Sequence, residues 1–109
     1  MQRMAMCIKV KEDKVEQYLA LHRAVWPEVL AKISACGIRN YSIYLKRPEN
    51  ILFGYWEYYG KDFAADAARM AEDPATQRWW KLTDLCQVPF EARKGGEWWA
   101  TMDEVFHAD

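Results

Sequence analysis

The sequence has no closely spaced cysteines and no long apolar run. Its three cysteines, Cys7, Cys36 and Cys86, lie far apart and are odd in number, so neither a metal site nor a disulfide framework is indicated. No apolar stretch approaches the roughly 20 residues needed to cross a bilayer, and residues 1–9 contain no signal-peptide core. We therefore expect a cytoplasmic protein that binds neither a membrane nor a metal ion.

Charge excess and the common nucleotide motifs are missing as well. Lys and Arg total 15 against 16 for Asp and Glu, which gives no electrostatic reason to expect nucleic acid. The chain contains no Gly-x-Gly-x-x-Gly, no Walker loop and no Gly-x-Ser-x-Gly elbow. Repeats, linkers and low-complexity segments are also absent. We expect a protein that works without a cofactor.

Aromatic residues are abundant. They make up 15% of the 109 residues, with six Trp and six Tyr, and hydrophobic residues make up 51%. This composition supports one folded domain over residues 1–109 rather than a disordered chain. So many aromatic rings in a small domain indicate a lined pocket or an aromatic interface.

Hydrophobic periodicity predicts the element order β-α-β-β-α-β, with the second helix in two pieces. Asp13 and Glu16 resemble a capping box at the start of the first helix, and Gly37 suits a left-handed residue just past its end. We predict strands over residues 3–11, 38–46, 51–59 and 97–106, and helices over 14–35, 61–72 and 75–86. This order is typical of a ferredoxin-like α+β fold, an antiparallel sheet with helices on one face.

The predicted strands are apolar on both faces. Tyr41 and Ile43 share one face of their strand, whereas Tyr44 lies on the other, and Phe53 likewise opposes Leu52. Helices cover only one face of such a sheet, and large exposed apolar patches mark interfaces. We expect a homodimer that packs sheet against sheet in an α/β-barrel-type assembly.

His22 is the strongest candidate for chemistry. Tyr18, His22 and Trp26 are spaced by four residues, so on one helix they would lie along one face, and Pro27 is expected to kink or restart that helix. Histidine alone has an unperturbed pKa that suits both acid and base catalysis near neutral pH. The alternatives are a hydrogen-bonded structural histidine and a core tyrosine. His107, near the C-terminus, is expected at the surface.

Three further aromatic residues are candidates for ligand contact. Trp79 and Trp80 are adjacent on a predicted helix and point about 100° apart, so one is expected to pack while the other stacks on a ligand. Tyr41 lies on the second strand. Flat aromatic faces match the C–H face of a sugar ring, which suggests a monosaccharide. The alternative is that both tryptophans belong to the core or an interface.

Taken together, these residues resemble the L-rhamnose mutarotase family over nearly the whole chain and in the right order. The matching segments are Tyr18-x-x-x-His22, Val25-Trp26-Pro27-Glu28, Asn40-Tyr41-Ser42-Ile43-Tyr44-Leu45, Leu52-Phe53-Gly54-Tyr55, Arg78-Trp79-Trp80-Lys81 and Glu104-Val105-Phe106-His107. The resemblance implies a dimeric, cofactor-independent isomerase of ferredoxin-like fold that interconverts the α and β anomers of L-rhamnose. It also implies that His22 is the proton donor and that Tyr18, Tyr41, Trp79 and Trp80 contact the sugar.

Mutarotation suits such a site because it needs only proton transfers. Ring opening requires a proton delivered to the ring oxygen and another removed from the anomeric hydroxyl. The group that removes the second proton is left open between Tyr18, a water molecule and His22 itself.

Residues 88–99 depart from the rhamnose-type pattern and look closer to relatives associated with L-fucose. L-Fucose, or another 6-deoxy sugar, is therefore the alternative substrate. Two other classes stay open: a non-catalytic sugar-binding dimer, and a ferredoxin-like monooxygenase or haem-handling dimer.

Overall fold

The computed structural model describes all residues 1–109 and confirms the α+β prediction. Its elements are β1 (Gln2–Val10), a 3₁₀ turn (Glu12–Lys14), α1 (Val15–His22), α2 (Pro27–Ala35), β2 (Ile38–Lys46), β3 (Ile51–Tyr58), α3 (Phe63–Glu72), α4 (Pro74–Asp84), β4 (Gln87–Val88) and β5 (Ala100–Met102). The strands form one sheet in the order β2-β3-β1-β4, and β5 also pairs with β1. Every pairing is antiparallel. No helix is both long and apolar enough to span a membrane.

The core forms where one face of the sheet meets α1. Ile8 of β1 lies opposite Leu52 of β3, and both side chains are fully buried. Val15 and Tyr18 from α1 pack on this pair, and Cys86 joins the same cluster after α4. Alternate residues of β1 thus supply the core, as the period-two pattern predicts.

The first predicted helix is interrupted at residues 23–26. Pro27 restarts the chain as the first residue of α2, and Trp26 before it is extended, with φ −61° and ψ 136°. A residue that precedes proline is sterically disfavoured in the helical region, and proline cannot donate a helix hydrogen bond. The expected restart is confirmed, whereas the prediction that Trp26 shares a helix face with Tyr18 and His22 is wrong.

The predicted capping box at Asp13 is also wrong. Asp13 lies inside the 3₁₀ turn, Lys14 precedes α1, and neither helix start has a side-chain cap. The genuine caps occur later in the chain. Asp62 accepts a hydrogen bond from the Ala65 amide (3.2 Å) and Asp73 accepts one from the Thr76 amide (3.0 Å), each satisfying a free N–H of a first turn.

The C-terminal strand is much shorter than the predicted range 97–106. Only Ala100–Met102 pairs with β1, and Gln87–Val88 forms a short strand that the pattern did not indicate. Beyond Met102 a salt bridge between Arg3 and Glu104 (2.6 Å) replaces ladder hydrogen bonds. Alternation alone cannot show how much of a strand finds a partner.

The sheet face away from the helices is open and apolar, as predicted. Tyr44 and Phe53 lie opposite each other on β2 and β3, and Tyr44 is 66% exposed. Met102 from β5 is also exposed and lies opposite Ala5 of β1.

Candidate active site

A cavity of about 600 Å³ lies between the sheet and helices α2 and α4. Fourteen of its nineteen lining residues are hydrophobic, and they include Trp98 and Trp99 from the segment before β5. The remaining five lining residues are His22, Thr76, Thr83, Asp84 and Gln87, and Tyr41, one of the fourteen, adds a hydroxyl group. An apolar cleft of this size with a few convergent polar groups is typical of a small-molecule site. No group of three or more His, Cys, Asp or Glu side chains is arranged to hold a metal ion.

His22, the last residue of α1, projects into this cavity. Its Nδ1 lies 2.9 Å from the backbone carbonyl oxygen of Tyr18. A carbonyl only accepts, so Nδ1 carries the proton and Nε2 is the nitrogen left for a ligand. Burial lowers the pKa of His22 below 6.5, and the Tyr18 carbonyl opposes this shift. The lowered pKa makes the imidazolium a stronger acid than a solvated one.

Tyr18 lies beneath His22 rather than in the cavity wall. Its ring stacks on the imidazole, with the ring centroids 4.2 Å apart, and the residue is only 3% exposed. Its hydroxyl accepts a hydrogen bond from Gln87 Nε2 at 3.4 Å. Burial raises the pKa of Tyr18 well above its usual value, so the phenol stays protonated. This argues against Tyr18 as the base, and its direct contact with sugar stays a prediction.

Tyr41 lines the cavity and lies within a bulge of β2. The register shifts between Arg39 and Ser42, so two residues of β2 lie opposite one of β3 at this point. Asn40 takes the left-handed conformation, with φ 50°, and donates a hydrogen bond to Glu57 (2.7 Å). Tyr41 shares the helix-facing side of β2 with Ile43, as alternation predicts, and its ring meets Trp56 edge to face.

The Tyr41 phenol also stays neutral. Burial raises the pKa of Tyr41 to about 12, although 38% of the residue's surface is exposed. At physiological pH this hydroxyl can donate or accept a hydrogen bond but not act as a base. It is suited to bind a sugar hydroxyl.

The two tryptophans of α4 both line the cavity but differ in burial. Trp79 is 6% exposed and contacts the rings of His22 and Trp26 edge to face, at 5.4 and 5.3 Å. Trp80 is 38% exposed. Trp79 is therefore the packed member of the pair and Trp80 the more accessible one. His107 is not among the lining residues; it pairs with Asp109 at 3.0 Å on the surface, as expected.

Several lining residues were not identified from the sequence. Thr76, Thr83, Asp84 and Gln87 follow one side of α4 and its continuation at spacings of three, four or seven residues around Trp80. That spacing was a signal available in the sequence. Trp98 and Trp99 were predicted on the last strand, but they precede β5 in a loop, and nothing in the strand pattern indicated that they reach the cavity.

Fold and site together define a small ferredoxin-like protein with an aromatic-lined cavity beneath one imidazole. A family model described as L-rhamnose mutarotase matches residues 3–108. The chain belongs to the L-rhamnose mutarotase family.

Individual relatives agree with this assignment. The chain is 37% identical over 82 residues to the L-rhamnose mutarotase of Oceanobacillus iheyensis, covering 75% of this chain and 76% of that one. It is 31% identical over 109 residues to that of Flavobacterium johnsoniae, covering 98% and 95%. The crystal structure of L-rhamnose mutarotase FA22100 from Formosa agariphila superposes with a TM-score of 0.80 at 20% identity, covering both chains completely, which supports the fold.

Proposed function

We propose that this protein is a mutarotase that interconverts the α and β anomers of L-rhamnose. The observation that carries the proposal is the position of His22, which lines an aromatic cavity of about 600 Å³. Its Nδ1 is hydrogen-bonded to the Tyr18 carbonyl, so its Nε2 is left for a ligand. A monosaccharide fits a site of this size, and its C–H faces match aromatic rings. Family membership agrees with this chemistry.

In the proposed mechanism, protonated His22 gives the Nε2 proton to the ring oxygen of the sugar. The bond between that oxygen and the anomeric carbon breaks, and the anomeric hydroxyl loses its proton as the carbonyl forms. Rotation of the aldehyde and closure on its other face return both protons. The Tyr18 carbonyl supports this step because it accepts from Nδ1–H and favours the imidazolium.

Asp84 is proposed as the group that takes the anomeric proton. It is the only carboxyl side chain among the cavity-lining residues. Burial raises the pKa of Asp84 above its ordinary 3.8 and lowers that of His22 below 6.5, so desolvation brings the two pKa values closer. A carboxyl pKa that moves up towards the operating pH makes Asp84 a more effective general base once it is ionised.

Asp84→Asn is expected to slow anomer exchange by about 10²-fold, near the lower end for loss of an acid–base group. The rate should be bell-shaped in pH, falling in acid when Asp84 is protonated and in alkali when His22 has lost its proton. The variant should lose the acidic limb only. Exchange rates from pH 4 to pH 8 test this, with the exposed Asp103→Asn as control. An unchanged acidic limb would remove Asp84 from the mechanism.

Sugar contact is assigned to Tyr41, Trp79 and Trp80. Tyr41 offers a neutral hydroxyl to the sugar, and the exposed ring of Trp80 offers a stacking face. Trp79 sets the position of His22 through their edge-to-face contact. The family resemblance also assigns Tyr18 to the sugar. Here Tyr18 is proposed to support the imidazole of His22, on which its ring stacks.

Saturation-transfer NMR tests the proposed reaction directly. One anomeric proton of equilibrated sugar is irradiated and the loss of signal at the other is followed, with L-rhamnose and L-fucose in parallel. Faster transfer with L-rhamnose supports the proposal, whereas faster transfer with L-fucose would make L-fucose the substrate. Binding without transfer would indicate a sugar-binding dimer instead.

A homodimer is proposed to form through the open sheet face. Tyr44, Phe53 and Met102 place exposed apolar side chains on one surface that no helix covers. A second copy of the same surface is self-complementary and would bury both.

The three free cysteines and balanced charge further support a reducing, cytoplasmic location and no nucleic-acid partner.

Phe53→Lys is expected to convert the dimer into a monomer, because a buried aromatic at an interface centre is replaced by a charge. The molar mass measured by light scattering at low micromolar concentration should fall from twice the chain mass of 12.9 kDa to the mass of one chain. Leu85→Lys is the matched control, since Leu85 is also apolar and exposed (60%, against 38% for Phe53) but lies after α4. A wild-type monomer at that concentration would contradict the proposed interface.

A further inference from the structure

Gln87 connects two aromatic residues through both ends of its amide. Only 4% of the residue is exposed, and its side chain lines the cavity. Its Oε1 accepts a hydrogen bond from Trp98 Nε1 at 2.7 Å, and its Nε2 donates to the Tyr18 hydroxyl at 3.4 Å. An indole N–H only donates, so the amide oxygen must face Trp98 and the amide nitrogen Tyr18.

Trp98 belongs to a loop that is held together locally but has little regular structure. Within residues 89–99, Arg93 donates to the backbone oxygens of Phe90 and Glu97, both at 2.7 Å. The Glu97 carboxylate accepts from the Thr101 hydroxyl at 2.9 Å. These contacts shape the loop without joining it to the helices. The short hydrogen bond from Trp98 ties the loop to Gln87 of β4, next to the cavity, and Gln87 in turn reaches Tyr18 of α1.

We propose that Gln87 is a positioning residue that holds the Trp98 indole in place as a wall of the sugar site. This inference rests on the proposed mutarotase function of the same cavity. Gln87 acts through Trp98, so its role is in substrate binding rather than in proton transfer.

The physical reason is that Gln87 is the hydrogen-bond partner of the one polar group on the Trp98 side chain. The residue is 40% exposed, so half-solvated rotamers are open to the ring once its N–H partner is removed. A Trp98 ring that samples several positions occupies the sugar-binding one for only part of the time. The apparent affinity for sugar then falls in proportion to the population of that position.

Gln87→Met tests the inference, because methionine has similar length and shape but replaces the amide oxygen with a thioether sulfur, a much weaker acceptor for Trp98. We expect KM for L-rhamnose to rise about three- to tenfold, the equivalent of one neutral hydrogen bond, with kcat near the wild-type value. Trp98→Phe should raise KM similarly. The double variant should be no worse than either single one, since both remove the same contact. Gln17→Met, at an exposed site on α1, is the control.

The Trp98 indole N–H resonance provides a readout that needs no activity. It is assigned by its loss in Trp98→Phe, and Gln87→Met should move it upfield, as expected when an N–H loses its acceptor. An unmoved resonance, or a moved resonance with unchanged KM, would overturn the inference. If Gln87→Met does not fold, Trp98→Phe with unchanged KM overturns it equally. Absence of exchange in the wild-type protein would instead reject the proposed function and leave the resonance to test the contact.

Discussion

Replacing His22 with alanine is expected to slow anomer exchange by about 10²- to 10⁴-fold while the chain remains folded. His22 is the only imidazole at the cavity, and its Nε2 has no partner within the protein. Its removal takes away the proposed proton donor but leaves the buried ring of Tyr18 beneath it in place. Saturation-transfer NMR on L-rhamnose measures the rate, and circular dichroism checks the fold.

His107→Ala is the matched control, because it removes the second imidazole at an exposed site near the C-terminus. It should exchange the anomers at the wild-type rate. The pH profile adds a second check on His22. Burial lowers the pKa of His22 below 6.5, so the midpoint of the alkaline limb should lie below pH 6.5. This limb should be absent from the profile of His22→Ala. Full activity in His22→Ala would refute the mechanism.

Trp79→Ala and Trp80→Ala are expected to fail in different ways. Trp79 is buried against His22 and Trp26, so its truncation should cost about 3–5 kcal/mol in the free energy of unfolding. Trp80 is 38% exposed, and its truncation should mainly raise KM with a much smaller loss of stability. Urea unfolding and sugar titration of both variants separate the two effects.

The outcome that would contradict this assignment is the reverse order, with Trp80→Ala the more destabilising variant. Trp79→Phe is a useful companion because it keeps an aromatic edge near His22 while removing less volume. It should recover a large part of the lost stability, as smaller changes in volume leave smaller cavities.

Local features of the sequence predicted much of the fold. Alternation located β1, β2 and β3, and Pro27 indicated the restart of the first helix. Gly37 takes the left-handed conformation expected of it, with φ 84°. Each of these depends on a residue and its near neighbours, for which backbone sterics and side-chain period are sufficient. Asp13 shows the limit, because a capping pattern forms only where the helix actually starts.

The site was predictable only for residues that lie on regular elements. His22, Tyr41, Trp79 and Trp80 stand out by residue type and spacing, and all four line the cavity. Tyr18 was identified too, but the structure places it beneath the imidazole, a difference of depth that helix spacing cannot express. Burial depends on what covers a residue, and that covering comes from elsewhere in the chain.

Long-range contacts decided the remaining features. They are the bulge of β2 against β3, the short pairing of Ala100–Met102 with β1 and the contact of Trp98 with Gln87. Each joins segments that lie apart in the chain. Element types and the acid–base candidate follow from short-range sterics, hydrophobic period and the pKa of histidine. Register, strand length and the wall of the cavity follow from the packing of the whole chain, because only that packing determines which groups meet and which lose water.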